Sequence, residues 1–364
     1  MGKKSIFFFI CLTVLAASCV YRPEEETKQP LRLFTIEQNG KCGYIDKAGK
    51  IVINPQFDSA WGFSEGLAPV EIGSKWGYID KTGKFLIEPG FVRAFPFSEG
   101  LAHVLIGNKW GYIDKTGKLL INLHFDWTRG FSEGLAPVEI GGEWGYIDRT
   151  GKIIINPQFD SAWGFSEGLA SVEVGGKYGY IDKTGEIVIN PQFRVVSGFS
   201  EGLAPVWAGG RYGYIDKTGK YWVLNPHLDL AGGFSEGLAC VKIDRKYGYI
   251  DRTGKYLINP QFVYAFPFSE GLARVRIGGK WGYIDKTGKI IINPQFDFAG
   301  GFSEGLAHVR IGGRWGYIDR VGKFVINPQF DWAWSFSEGL ASVDVGGKRG
   351  YIDKTGKYIW EPTK

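Results

Sequence analysis

The chain has 364 residues, with 43 Lys and Arg against 38 Asp and Glu, 54 glycines, 4 cysteines and 4 histidines. A formal charge of +5 over this length is too balanced to indicate a nucleic-acid partner, and so few cysteines cannot staple a chain of this size, which must be held by its core. Abundant glycine together with 16% aromatic residues points to short strands and tight turns and away from helices.

Residues 1–18 have the pattern of a signal peptide. Lys3 and Lys4 form a basic start, and Ile6 to Ala17 is an apolar run too short to span a bilayer comfortably. Ala16-Ala17-Ser18-Cys19 resembles the lipobox of bacterial lipoproteins, which implies cleavage before Cys19 and lipidation of its thiol. Ala16 stands where such boxes more often carry Leu, and plain secretory cleavage is the alternative. Residues 19–30 are polar, charged and bracketed by Pro23 and Pro30, with no apolar period, and read as a tether.

From residue 31 to 364 the chain is one motif rewritten. Gly-Tyr-Ile-Asp starts at Gly43, Gly77, Gly111, Gly145, Gly179, Gly213, Gly248, Gly282, Gly316 and Gly350, at a spacing of 34 broken once by 35 at Tyr221-Trp222-Val223-Leu224. Phe-Ser-Glu-Gly-Leu-Ala recurs nine times between these copies, from Phe63 to Phe336. A 34-residue period also suits helical tetratricopeptide arrays, but β-branched and aromatic runs of three to six residues separated by turn dipeptides exclude that reading. Each unit divides into three short strands. In one copy these are Leu135 to Ile140, then Trp144 to Asp148 after the Gly141-Gly142 turn, then Ile153 to Ile155 after a turn in which Gly151 adopts positive φ and Asp148 accepts from the turn backbone. Asn156-Pro157 is expected to end the third strand, and Phe159 to Gly168 to connect to the next unit.

Lys-Trp-Gly-Tyr-Ile-Asp-Lys-Thr-Gly-Lys, with Asn-Pro-Gln-Phe and Phe-Ser-Glu-Gly-Leu-Ala, resembles the WG (KWG) repeat of bacterial proteins over about residues 31–364. The resemblance implies a β-rich repeat protein, often envelope-associated, with no general enzymatic activity. Copies at Glu88-Pro89-Gly90-Phe91, Asn122-Leu123-His124-Phe125 and Asn225-Pro226-His227-Leu228 depart from it.

The expected architecture is all-β: ten three-stranded antiparallel units in an open solenoid or superhelix, because no strand is left over at one end to complete a unit at the other. A closed propeller-like ring is the alternative. The residue before Gly-Tyr-Ile-Asp is aromatic in eight interior copies and becomes Cys42 in the first and Arg349 in the last, as expected if it packs between neighbours that the end copies lack. A sugar-stacking track is the competing reading of that row.

No catalytic, cofactor or metal site stands out. The repeated Asp of Gly-Tyr-Ile-Asp and Glu of Phe-Ser-Glu-Gly occupy the same environment many times over, which suits turn capping and connector bonding better than an acid pair with two unequal environments. No calcium-loop pattern is present, and none of His103, His124, His227 and His308 has metal-ligand spacing. Variation concentrates at the residue after Leu-Ala and in the connectors, where Trp61, Trp127, Trp163, Trp332 and Trp334 form the candidate binding surface. The expected function is a non-enzymatic scaffold of the bacterial envelope, exported, held to the membrane through lipid at Cys19 alone, and binding an envelope protein or glycan with no cofactor and no nucleic acid. A carbohydrate-binding module built on the connector tryptophans is the alternative, and a glycan-acting enzyme the third reading.

Overall fold

One repeat makes a sheet because its apolar residues alternate between two faces, and each face needs a partner. In the first repeat β1 (Phe34–Gln38), β2 (Lys41–Ile45) and β3 (Ile51–Phe57) pair antiparallel in that order. In the second, a two-residue strand β4 (Ser59–Ala60) precedes β5 (Ala68–Ile72), β6 (Lys75–Ile79) and β7 (Phe85–Phe91). The other eight repeats keep this order, with a longer lead strand, Leu230–Ser235, in the seventh, so among the described residues nine of the ten sheets, or blades, have four strands where three were expected. The fourth is the short lead strand hidden in the connector. The computed structural model describes residues 32–362, excluding the side chains of residues 122–123 and 222–227; the signal segment, the tether and Cys19 lie outside the described residues.

The predicted turns form. Gly141 and Gly142 have φ of 62° and 87°, and Gly151 has φ of 84°. Asp148 accepts from the amides of Thr150 at 2.8 Å and Lys152 at 3.1 Å. Asn-Pro, however, does not end the third predicted strand, which runs on through Ile153–Phe159. It is the edge of its blade, where a missing N–H costs no ladder bond. Trp144 pairs with Phe159 and Tyr146 with Ile155, so Asn156, Pro157 and Gln158 all lie opposite Gly145. A Cβ on Gly145 would sit 2.4 Å from the Ile155 carbonyl oxygen and 2.7 Å from the Pro157 nitrogen, which is why this position is glycine in every copy. The 35-residue repeat places its extra residue in the same bulge, between the pairs Tyr212 with Leu228 and Tyr214 with Val223.

The cores lie between blades, not within them. Leu67, Tyr78, Ile87 and Phe91 of the second blade pack on Ala94, Phe97, Ala102, Val104 and Ile113 of the third, and eight further joints repeat this set. Each joint also carries a tyrosine hydroxyl that donates across it: Tyr78 to the Phe95 carbonyl, Tyr146 to that of Trp163, Tyr317 to that of Trp334. Ten such bonds, all 2.6 to 2.8 Å long, run round the molecule.

The tenth bond corrects the open-array expectation. Tyr351 of the last blade donates to the Thr35 carbonyl of the first, 316 residues away, and its ring lies 5.8 Å from that of Phe34. Arg32 pairs with Glu338 across the same joint. The chain is a closed ten-bladed propeller, and it closes without a shared sheet. A leftover strand is unnecessary because adjacent blades join face to face, so the last joint can use the same donor as the other nine. Arg349 and Cys42 therefore do not mark ends without neighbours.

Replacing Tyr146 with Phe leaves the ring packing in place but strands a carbonyl, so we expect a loss of about 1–3 kcal/mol in chemical unfolding. Tyr351→Phe should cost a similar amount; an unchanged midpoint for Tyr351→Phe would mean that the ring is open in solution.

Candidate functional site

Most carboxylates of the repeat are already committed to structure. Ser and Leu of each Phe-Ser-Glu-Gly-Leu bridge one another, and the two residues between them form a turn in which both have positive φ, as in Glu99 at 53° and Gly100 at 84°. Glutamate in this region costs about 1 kcal/mol or more. Its carboxylate offsets that by reaching the next blade: Glu99 accepts from the Gly134 amide at 2.9 Å and from Arg149 at 2.7 Å. Glu65, Glu133, Glu167, Glu236 and Glu304 repeat this with Lys115, Lys183, Lys217, Lys286 and Lys354. The preceding serine donates to the next blade as well, Ser64 to the Phe97 carbonyl at 2.7 Å. Nothing in the sequence names the partners of this Glu, although an invariant Ser-Glu-Gly where Asn-Gly would be less strained is a signal.

The residue after Leu-Ala, a candidate variable surface, faces the next blade. Pro69, Pro137, Pro205 and Cys240 are buried there, and Arg274 donates to the Ala299 carbonyl at 2.6 Å. His103 stacks on Phe95 with ring centroids 4.3 Å apart. Burial pushes the His103 and His308 imidazoles down to about 4, with the Arg274 charge adding to the effect on His308, so both are neutral at ordinary pH. Cys42 and Cys240 are both free. Among the described residues no group of three or more His, Cys, Asp or Glu side chains is placed to hold a metal ion.

The connector tryptophans sit on a belt. The aromatic before Gly-Tyr-Ile-Asp is buried at Trp110, Trp144, Trp281 and Trp315 and half-buried at Trp76, Tyr178, Tyr212 and Tyr247. Against it lie the exposed rings of the connectors: Trp61 is 48% exposed, Trp127 45%, Trp163 36% and Trp332 46%. Trp334 is half-buried, beneath the Arg349 guanidinium at 4.4 Å. One arc runs from Trp61 through Phe95, Trp110 and Trp127 and then, with Arg129 between Trp144 and Trp163, on to Tyr178. A second runs from Tyr247 through Tyr264, Trp281, Phe298 and Trp315 to Trp332 and Trp334. The sequence reading thus found the exposed rings, while in the row beneath them Trp110, Trp144, Trp281 and Trp315 are buried as core.

The belt breaks twice, and a cavity opens at each break. In the sixth blade Ser197 and Gly198 stand where the fifth has Trp163 and Gly164, and a cleft of about 520 Å³ opens against Trp163, Tyr178, Ser171 and Arg194. Beside the closing joint, where the first blade has no lead strand among the described residues, a groove of about 600 Å³ runs between Thr35, Glu37, Cys42 and Ala60 on one side and Lys348, Arg349 and Tyr351 on the other.

The WG containing repeat matches nine consecutive segments, from 43–76 to 315–348. The chain belongs to the WG-repeat family. No curated protein sequence matches it. Among solved structures, one described as a eukaryotic initiation factor superposes with a TM-score of 0.55 at 11% identity, covering 83% of this WG-repeat chain and 96% of that one. The extracellular domain of the putative one component system BT4673 from B. thetaiotaomicron gives 0.32 at 12% identity, over 92% of this chain and 57% of that one. Apo AztD from Citrobacter koseri gives 0.37 at 13% identity, over 90% and 93%. The first likeness, at such low identity, shows the fold alone.

The WG-repeat latches carry a pH dependence. Burial raises the Glu65, Glu99 and Glu167 carboxyls, but the bonds from Lys115, Arg149 and Lys217 and from the glycine amides outweigh it, leaving each below its ordinary 4.5. A carboxyl depressed in the folded state stabilises above its unfolded value, and that contribution is lost as pH falls through the folded one. Thermal stability should therefore fall below about pH 4.5. The combined Glu65→Gln, Glu99→Gln, Glu167→Gln variant should be less stable at neutral pH, with a shallower acid decline; parallel declines would remove these residues as its source.

Proposed function

We propose that this WG-repeat propeller is a non-enzymatic interaction scaffold of the bacterial envelope, presenting its aromatic belt to a partner protein. The observation that carries the reading is the exposure of Trp61, Trp127, Trp163 and Trp332 along one belt of an otherwise structurally committed ring. Large exposed rings on a rigid support supply binding area at little entropic cost, and Trp is over-represented among interface hot spots. The repeated acids work against an enzymatic reading: Asp and Glu groups held below their ordinary range by turn and inter-blade bonds are poor general acids.

A glycan ligand is the second reading, and the cleft at the fifth and sixth blades favours it. Trp163 and Tyr178 lie 5.5 Å apart as a cornered aromatic platform, Ser171 and Ser197 add polar groups, and Arg194 stands at the wall. A volume near 520 Å³ suits one or two sugar units. Arg194 gives the cleft a preference for an acidic sugar.

Both readings are tested by replacing Trp61, Trp127, Trp163, Trp332 and Trp334 with Ser together. Binding in pull-downs from envelope extracts, and on glycan arrays, should be lost at an unchanged Tm. A large fall in Tm would return the rings to the core, and turnover of any glycan would replace the scaffold with an enzyme. The anchor is tested separately. Cys19→Ala should move the protein from the membrane to the soluble fraction, since acyl chains on one cysteine would supply all the membrane affinity; unchanged fractionation with normal signal cleavage would refute lipid anchoring.

A further inference from the structure

Among the described residues the first blade is the one sheet without a lead strand, and the groove of about 600 Å³ lies along the edge where that strand belongs. The other nine blades show what fills the place. In the second blade the Asp58 amide donates to the Glu71 carbonyl at 2.8 Å and the Trp61 amide to the Pro69 carbonyl at 3.0 Å, while Ser59 and Ala60 pair with Glu71 and Val70. The Asp58 carboxylate accepts from the Gly73 amide at 2.8 Å and pairs with Lys41 of the preceding blade. Lys109 with Asp126, Lys280 with Asp297 and Arg314 with Asp331 repeat the ion pair. Ala94, Ala162, Ala265, Ala299 and Ala333 are buried at the position of Ala60.

Shifted by one repeat, every receiving group is present at the closing joint. Glu37 and Thr35 stand at the carbonyl positions of Glu71 and Pro69, Asn39 at the amide position of Gly73, and Lys348 at the position of Lys41. All four line the groove. Tyr351 carries the trace of the missing strand. In the nine other joints the tyrosine hydroxyl donates to a connector carbonyl, as Tyr44 does to Trp61, but Tyr351 reaches past the gap to the Thr35 carbonyl of the second-strand position itself.

We propose that this edge is a strand-acceptor site, which takes an extended peptide segment of a partner protein bearing an acidic residue followed two positions later by alanine. The backbone of the segment pairs with β1. Its acid meets Lys348 and the Asn39 amide, and its alanine enters beside Ile36. Tyr351 then donates to the segment's carbonyl and releases that of Thr35 to an incoming amide. Main-chain pairing supplies affinity here, and the acid and the alanine supply selectivity. The site is separate from the aromatic belt and does not depend on the partner or glycan proposed for it.

The probe is the heptapeptide Phe-Asp-Ser-Ala-Trp-Gly-Phe, which the chain itself carries at 57–63 and 159–165. Fluorescence anisotropy with the labelled peptide and the whole protein should show saturable binding. N-methylation of the peptide at its Asp and Trp amides should abolish it, and Lys348→Glu should weaken it about tenfold or more at an unchanged Tm. A peptide with Lys in place of Asp should bind Lys348→Glu better than the wild-type protein. No binding to the whole protein overturns the proposal, and so does binding that survives N-methylation. Binding that appears only when the residues before Arg32 are deleted overturns it too. Light scattering that shows a dimer which the peptide dissociates assigns the edge to a second copy and overturns a peptide partner.

Discussion

The ring depends on one bond made ten times: a tyrosine hydroxyl, buried in nine of the ten, donating across each joint to the backbone of the next blade. Tyr78, Tyr146, Tyr214 and Tyr317 are fully buried, so each hydroxyl must find an acceptor or carry the cost of a bare polar group. The acceptor comes from a neighbour and not from the tyrosine's own blade. A blade by itself is thus incomplete in polar bonding as well as in its core, and stability is a property of joints. This is the nearest-neighbour logic of repeat arrays, with the difference that a closed ring leaves no end repeat to be capped.

Around the tyrosines the repeat assigns almost every polar side chain to a local duty. The aspartate of Gly-Tyr-Ile-Asp holds the following turn, as Asp285 does through the Thr287 and Lys289 amides. The glutamate of Phe-Ser-Glu-Gly accepts a strained backbone so that its carboxylate can reach the next blade. Strain at such a position often signals function, but when it recurs at nearly the same φ from Glu65 to Glu304 it is part of assembly. What remains for function is what the repeat leaves unassigned: the connector rings and the two places where bulk or a strand is missing.

These two gaps have different origins. At the sixth blade small side chains, Ser197 and Gly198, border the cleft while the backbone keeps its pattern, so the cleft there is a matter of volume. At the closing joint the described residues supply no lead strand to the first blade, and the gap is one of backbone pairing. Volume gaps suit compact ligands and pairing gaps suit extended chains, which is why the two places point to different chemistry.

The repeat period, the turns at Gly141-Gly142 and Gly151, the capping role of Asp148, the family and the exposed connector tryptophans were all legible in the sequence. Their causes act within a few residues and are rewritten every 34. The lead strand was not, because two residues such as Ser161–Ala162 carry no periodic signal. Nor was the course of Ile153–Phe159, where an edge position tolerates the Pro157 that would stop a central strand. Closure was decided by the tertiary structure alone. The small rotation between one blade and the next is set by the shapes of packed side chains, and whether ten such rotations return Tyr351 to Thr35 is a sum over the whole molecule that no single copy of the repeat encodes.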